Sequence, residues 1–303
     1  MPVERIGGDA ERAIESVLRQ DATFPFELIV VSAEPLALPS ETRVRNVVEP
    51  NRNPATRRNR AVSAARGELL AFIDDDATAD RRWLSTAVAY LDNHPDVLAL
   101  GGPDPAPPDS SEAELISETL LSTRWIGSGV ACHENRPGIF TLKRPSDIAL
   151  VNLFVRRSAF SGFDERIGYI GEDTALLQSL MERGKAIYHG DVRVYHRRRA
   201  FPGPYLRQRW RYRVKTGQLQ AQRRDPKVRA FVAAGALFIL LWPLLLIPYL
   251  ALTFILGARA TRLPPRRWGI IPVAFAVHHA TYWLGIVWGM MKRSAISDQR
   301  SGE

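Results

Sequence analysis

The sequence predicts an α/β domain with a mostly parallel, Rossmann-like sheet, followed by C-terminal membrane helices. Three observations lead there. Up to about residue 215, short apolar runs of strand length alternate with amphipathic stretches of helix length, the order that builds a parallel sheet with helices on its faces. One of those runs, LLAFI, ends in three consecutive acids, and open α/β sheets bind ligands at the carboxyl ends of their strands. Finally, two uncharged runs near the C-terminus are long enough to cross a bilayer. The expected division is 1–215 for the α/β domain and 216–303 for a basic segment carrying the two hydrophobic stretches, 230–258 and 268–291.

In chain order, Glu11–Gln20 reads as a helix with Ala13, Ile14, Val17 and Leu18 on one face, and Phe26–Val31 as a buried strand. Arg43–Val48 is a short strand and Pro54–Arg66 a helix. Leu69–Ile73 is the strand that delivers the acids. Arg82–Asn93 is amphipathic through Trp83, Leu84, Ala87, Val88 and Leu91, and Val97–Gly101 is a further strand. The Pro-rich PDPAPPDSSE reads as a loop, and no pattern is legible from Pro103 to Asp147. Strand and helix signals resume with Ala149–Val155, Thr174–Arg183, Ala186–Tyr188 and Val192–Tyr195. Ala230–Ala258 holds 29 residues without a charge, about 43 Å as a helix. Pro243 and Pro248 inside it predict a kink, a tilt or a re-entrant hairpin.

Composition narrows the class. With 46% hydrophobic and 24% charged residues the chain is not a disordered one. The single cysteine, Cys132, excludes an intrachain disulfide framework and a cysteine-cluster zinc site. The net charge is +9, and residues 193–229 alone hold 13 Lys and Arg against one acid, Asp225. This block runs straight into the apolar segment, which fits anionic membrane lipids as partners and argues against nucleic acid. MPVERIGGDAER lacks an apolar h-region, so the expectation is an inner-membrane protein with its α/β domain on the cytoplasmic side. Arg259, Arg262, Arg266 and Arg267 lie between the two hydrophobic runs. Two full crossings would place them opposite the basic block, against the positive-inside tendency.

Five features carry possible chemistry. Asp74, Asp75 and Asp76 repel one another and call for a counter-charge; a hard divalent cation bridging carboxylates to phosphates supplies one, and an acidic turn capping the next helix is the alternative. Glu172 and Asp173 open a helix, where they serve either as a cap or as a general base for an attacking hydroxyl. Arg58 and Asn59 sit on a helix upstream of the acidic strand, as a diphosphate grip or as a solvated basic face. His196 follows a strand in RVYH. In RQRWRYR, Trp210 and Tyr212 interleave with arginines, as an interfacial segment or a substrate contact.

The order of these motifs, RRNRAVSAARGELLAFIDDDA, NLFVRRSAFSGFDER, GEDTALLQSL and VRVYH, resembles a family 2 glycosyltransferase of GT-A fold over about residues 10 to 215. The resemblance implies an inverting transfer from a nucleotide-diphospho-sugar with Mg²⁺ or Mn²⁺ bound. It maps metal ligation onto Asp76, Asp74 and His196, and donor binding onto Asp74, Asp75, Arg58 and Asn59. Asp173 becomes the base, with Glu172 beside it. RQRWRYR is similar to the QxxRW element of processive synthases, but Leu206 stands where the Gln belongs; only Arg209 and Trp210 carry over as donor contacts. A membrane-anchored enzyme of this kind implies a lipid-linked or polysaccharide acceptor. Two departures favour the alternative of a catalytically silent scaffold. The first apolar strand is reduced to Val3–Ile6, and Ser32, Ala33 and Glu34 occupy the place of the nucleobase-reading Asp.

Overall fold

The computed structural model describes residues 1–167, 170–223 and 226–292. The described chain divides into two compact units, Met1–Asp109 with Gly129–Arg197, and Ser110–Ser128 with the residues from Arg198 onward.

The first unit opens with α1 (Gly8–Leu18), β1 (Leu28–Ser32), β2 (Val44–Val48) and α2 (Pro54–Ala64). Helix α2 starts where Asn53 accepts the Ala55 N–H at 2.9 Å and Pro54 takes the first turn, where its missing N–H costs nothing. Then come β3 (Leu69–Phe72), β4 (Ala77–Ala79), α3 (Trp83–Asp92) and β5 (Val97–Gly101). The chain passes through α4 (Glu112–Ser122) in the second unit. It returns as β6 (Ile139–Thr141), β7 (Leu153–Arg156), α5 (Glu172–Arg183), β8 (Lys185–His189) and β9 (Val194–His196).

The α/β class is as expected, but the strand pairing is mixed. Strands β1–β2 and β5–β8 pair in parallel. Strand β7 is antiparallel to both β3 and β5, and β6 is antiparallel to β8. The reason is the connection: between β5 and β7 the chain makes an excursion through α4 and β6 instead of a single crossover helix, and only the latter returns a strand in parallel. Alternate side chains of β7 feed two cores. Phe154 packs with Ile14, Val17, Trp83 and Leu91, while Leu153 and Val155 pack with Leu176, Leu177 and Leu180 of α5. Asn152, wholly buried, ties the layers together. Its amide donates to the Pro103 and Val192 carbonyls at 3.0 and 2.7 Å, and its oxygen accepts the Trp83 indole N–H at 2.8 Å.

Residues 1–3 run alongside β1. Pro2 bridges Val31 in parallel register, and the Val3 N–H donates to the Val31 carbonyl at 2.8 Å. Strands β1 and β3 are each the last strand of their sheets, and an apolar cavity lies between them, lined among others by Met1, Phe26, Leu28, Leu69 and Ala71.

The second unit is helical. Helix α4 has a capping box in which Ser111 and Glu114 satisfy each other's backbone N–H groups. Helices α6 (Gly203–Arg223), α7 (Pro226–Ala260) and α8 (Ile270–Met291) complete it. Helix α7 runs through Pro243 and Pro248 without reversing, so the expected alternative of a re-entrant hairpin does not form. The reversal comes at 261–269 instead. Tyr249 meets His279 at 2.8 Å, and the Trp283 indole donates to the Val232 carbonyl at 3.2 Å, which makes α7 and α8 antiparallel. Helix α6 runs parallel to α8: Tyr205 contacts His278 at 2.9 Å, Arg213 lies 3.5 Å over the Tyr282 ring, and Gly217 abuts Gly289. The stretches Val232–Ala260 and Ile270–Met291 are long and apolar enough to cross a membrane; in their most apolar windows 6% and 33% of residues are buried. The difference reflects α4 and α6, which cover one side of α8 through Leu120, Tyr205, Ile271 and Phe275.

Candidate active site

Strand β3 ends at Phe72, and the turn to β4 carries Asp74, Asp75 and Asp76. Three carboxylates persist on one short turn because chain neighbours share their charge. Arg58, on α2 and only 12% exposed, donates one nitrogen to Asp74 Oδ1 at 3.3 Å and the other to Glu172 Oε1 at 3.0 Å. A single guanidinium thus joins the acidic turn to the first residue of α5. The fork geometry of arginine makes this double contact possible, and a lysine would supply a point charge without it.

Glu172 is buried, and its carboxyl is held above the ordinary value of 4.5 by that burial and by the adjacent Asp173, with Arg58 pulling the other way. Asp173 is half-buried and accepts the Thr174 N–H at 2.7 Å. Gly171, at φ +104°, turns the chain into α5 in a conformation that L side chains rarely adopt. Asn59 is occupied by the loop before α5: its amide donates to the Phe163 carbonyl and to Glu165, both at 2.9 Å, and its oxygen accepts the Phe163 N–H at 2.8 Å. These partners lie in the loop that leads to the Glu172–Asp173 pair.

His196 occupies the last position of β9, a strand bonded on both sides. Towards β4, Ala77 pairs with His196, and the Arg197 N–H donates to the Asp76 carbonyl at 3.1 Å. On the other side, the His196 N–H donates to the Pro105 carbonyl at 2.9 Å. The flanking segments each bring a carboxylate to the imidazole: Asp76 Oδ1 lies 3.4 Å from Nε2 and Asp104 Oδ2 lies 3.6 Å from Nδ1. A carboxylate and an imidazole on one side of the acidic turn are groups able to hold a divalent cation.

The structure therefore brings Arg58, Asp74 and Glu172 together, and Asp76 and His196 together. Arg209 and Trp210 belong to the second unit, on α6. There Arg209 lies over the Tyr205 and Tyr212 rings at 5.5 and 5.2 Å, and the Trp210 ring packs beside Gly285. Sequence reasoning missed Asp104 and Asn46. Asp104 was hidden in the Pro-rich stretch, where only the topology reveals that it faces β9. Asn46 donates to Ser32 Oγ at 2.9 Å at the carboxyl end of β1, where the family resemblance places the nucleobase contact. A polar residue in a short strand gave no distinguishing signal.

Residues 7–148 match the family described as Glycosyl transferase family 2. A glucosyl-dolichyl phosphate glucuronosyltransferase of Haloferax volcanii is 40% identical over 52 residues, which is 17% of this chain and 17% of that relative's length. Among solved structures, a mannosyltransferase of Pyrobaculum calidifontis in complex with GDP-Man and Mn²⁺ superposes with a TM-score of 0.50 at 18% identity, covering 93% of this chain and 85% of the other. The likeness is one of fold. A crystal structure of residues 1–349 of S. aureus TarS gives a TM-score of 0.46 at 14% identity, covering 94% of this chain and 88% of the other.

Proposed function

We propose that this chain, whose residues 7–148 match glycosyl transferase family 2, transfers a sugar, with inversion, from a nucleotide-diphospho-sugar to a lipid-linked or polysaccharide acceptor at the cytoplasmic face of a membrane. One observation carries the reading: Arg58 binds Asp74 and Glu172 at once, which unites the acidic turn and the opening of α5 in a single site. Asp74 and Asp75 face the nucleotide in this reading, and Asp76 with His196 holds the divalent cation. A cation held there would supply positive charge against the departing diphosphate. Arg58 adds a fixed positive charge on the same side without reorganising. Asp173 accepts the proton of the acceptor hydroxyl, and attack from the face opposite the diphosphate inverts the anomeric carbon. Glu172, buried against Arg58, fixes the start of α5 and hence the position of Asp173.

The acceptor class has two supports. The Haloferax relative acts, by its name, on a dolichyl phosphate-linked sugar. The two long apolar helices would confine the enzyme to the plane where a lipid acceptor resides.

The test is donor binding by detergent-solubilised protein. UDP-, GDP-, dTDP- and CDP-linked sugars are titrated with and without Mn²⁺, for the wild type and Asp76→Ala. Metal-dependent binding of one nucleotide class, lost in the variant, is the expected result. If folded wild-type protein binds none of them, the silent scaffold is the better reading.

A further inference from the structure

We propose that Asp104, Cys132 and His133 form a second metal site, for a borderline-soft divalent cation of the Zn²⁺ class, apart from the cation held at Asp76. The three residues each offer a ligand atom, and these atoms lie within 4.8 Å of one another. Their assembly follows from the backbone. Past Gly101 the chain stays against β9, and at Gly102 a Cβ would come within 2.0 Å of the Val192 carbonyl oxygen, so only glycine lets the strand approach so closely. The next residues are thereby buried, and Asp104 has no exposed surface. Cys132, equally buried, is held by a turn: its N–H donates to the Asp147 carbonyl at 3.2 Å, and its carbonyl accepts the Asp104 N–H at 3.3 Å.

The geometry of the imidazole distinguishes the kinds of chemistry open to this trio. His133 Nδ1 lies 2.8 Å from Asp104 Oδ1 and 3.7 Å from Cys132 Sγ. In a nucleophile relay the thiol and the carboxylate hold opposite ring nitrogens. Here both converge on the same nitrogen, as ligands around a common centre do. The thiolate of Cys132 is what sets this trio apart from the Asp76–His196 pair: a soft sulfur ligand selects Zn²⁺ over the harder Mg²⁺ or Mn²⁺. Three protein ligands leave a fourth tetrahedral position for water. A cation also offsets the cost of a carboxylate and a thiolate in so buried a place. His133 is the one partly exposed member, 19% by side chain, and marks the side from which the ion enters.

This site does not depend on the chain being a glycosyltransferase; the other oxygen of Asp104 faces His196. Co²⁺ titration of the chelator-stripped full chain in detergent tests it. Thiolate ligation gives a near-ultraviolet sulfur-to-cobalt charge-transfer band, and Cys132 is the only cysteine able to produce it. The expected result is that band in the wild type, displaced by Zn²⁺, undiminished in Asp76→Ala and absent from Cys132→Ser. His133→Gln, a change at a partly exposed residue, is expected to weaken Co²⁺ affinity at least ~10-fold. A wild type that binds Co²⁺ without the band, or His133→Gln with unchanged affinity, overturns the proposal.

Discussion

Arg58 and the two acids of α5 divide their duties by environment. Glu172 is buried and bonded to Arg58, while Asp173 keeps access to solvent, and adjacent carboxylates held in unlike surroundings take unlike roles. Replacing Asp173 with Asn preserves its shape and removes its basicity. Transfer should fall by ~10²-fold or more while donor affinity, read by calorimetry, stays within a factor of two or so. Loss of donor binding instead would remove Asp173 from the role of base. Glu172 leaves a different trace. Its carboxyl is raised in the folded state, so the native protein holds that proton more tightly than the unfolded chain does. The stability tied to it is complete below the ordinary carboxylate range and is lost as pH rises through the raised value. Glu172→Gln should therefore flatten the decline of melting temperature between pH 4.5 and neutrality; an unchanged slope would mean that other groups set it.

Among elements, most strands with strong apolar runs were legible in the sequence to within a residue or two, and Val97–Gly101 to the residue; the run Ala149–Val155 was not, because Leu150–Asn152 forms a 3-10 turn and the strand starts only at Leu153. The strand after the acids, β4, was not, because three residues of Ala-Thr-Ala carry no period; its edges are made by β9, more than a hundred positions away. Helix α4 hid behind the Pro-rich stretch although Ser111 and Glu114 spell a capping box. The triad of acids and the Glu172–Asp173 pair were readable because each sits at an element boundary. Their union through Arg58 was not, since it depends on how α2 and α5 meet. Helices α6 and α8 pack glycine to glycine: a Cβ on Gly217 would lie 2.2 Å from the Ile286 carbonyl oxygen. Gly217→Val should cost about 1–3 kcal/mol and speed tryptic cleavage within the arginine-rich α6. Gly203→Ala, where nothing lies within 4 Å of the added carbon, is the matched control.

Taken whole, the molecule joins an α/β unit to a helical unit in which cationic and apolar surfaces run side by side. Because α6 lies parallel to α8, a bilayer that admitted all of α8 would draw in Arg207 and Arg211, exposed on α6, at a cost of several kcal/mol. Helix α7 carries no such companion charge between Ala230 and Ala258. Accessibility labelling of single cysteines in a Cys132→Ser background should find Leu240 and Ile247 of α7 shielded by lipid and Arg211 open to water; a shielded Arg211 would contradict this. The first unit has a consequence for how the protein is handled at the bench. Two sheet edges, β1 and β3, face each other across an apolar cavity, with residues 1–3 already laid beside β1. Such an opening is a mould for one more strand, so a purification tag fused ahead of Met1 is not a passive handle. A leader of alternating Val and Ile should be zipped into the opening and raise the melting temperature, whereas a Gly-Ser leader of equal length should leave it where it was.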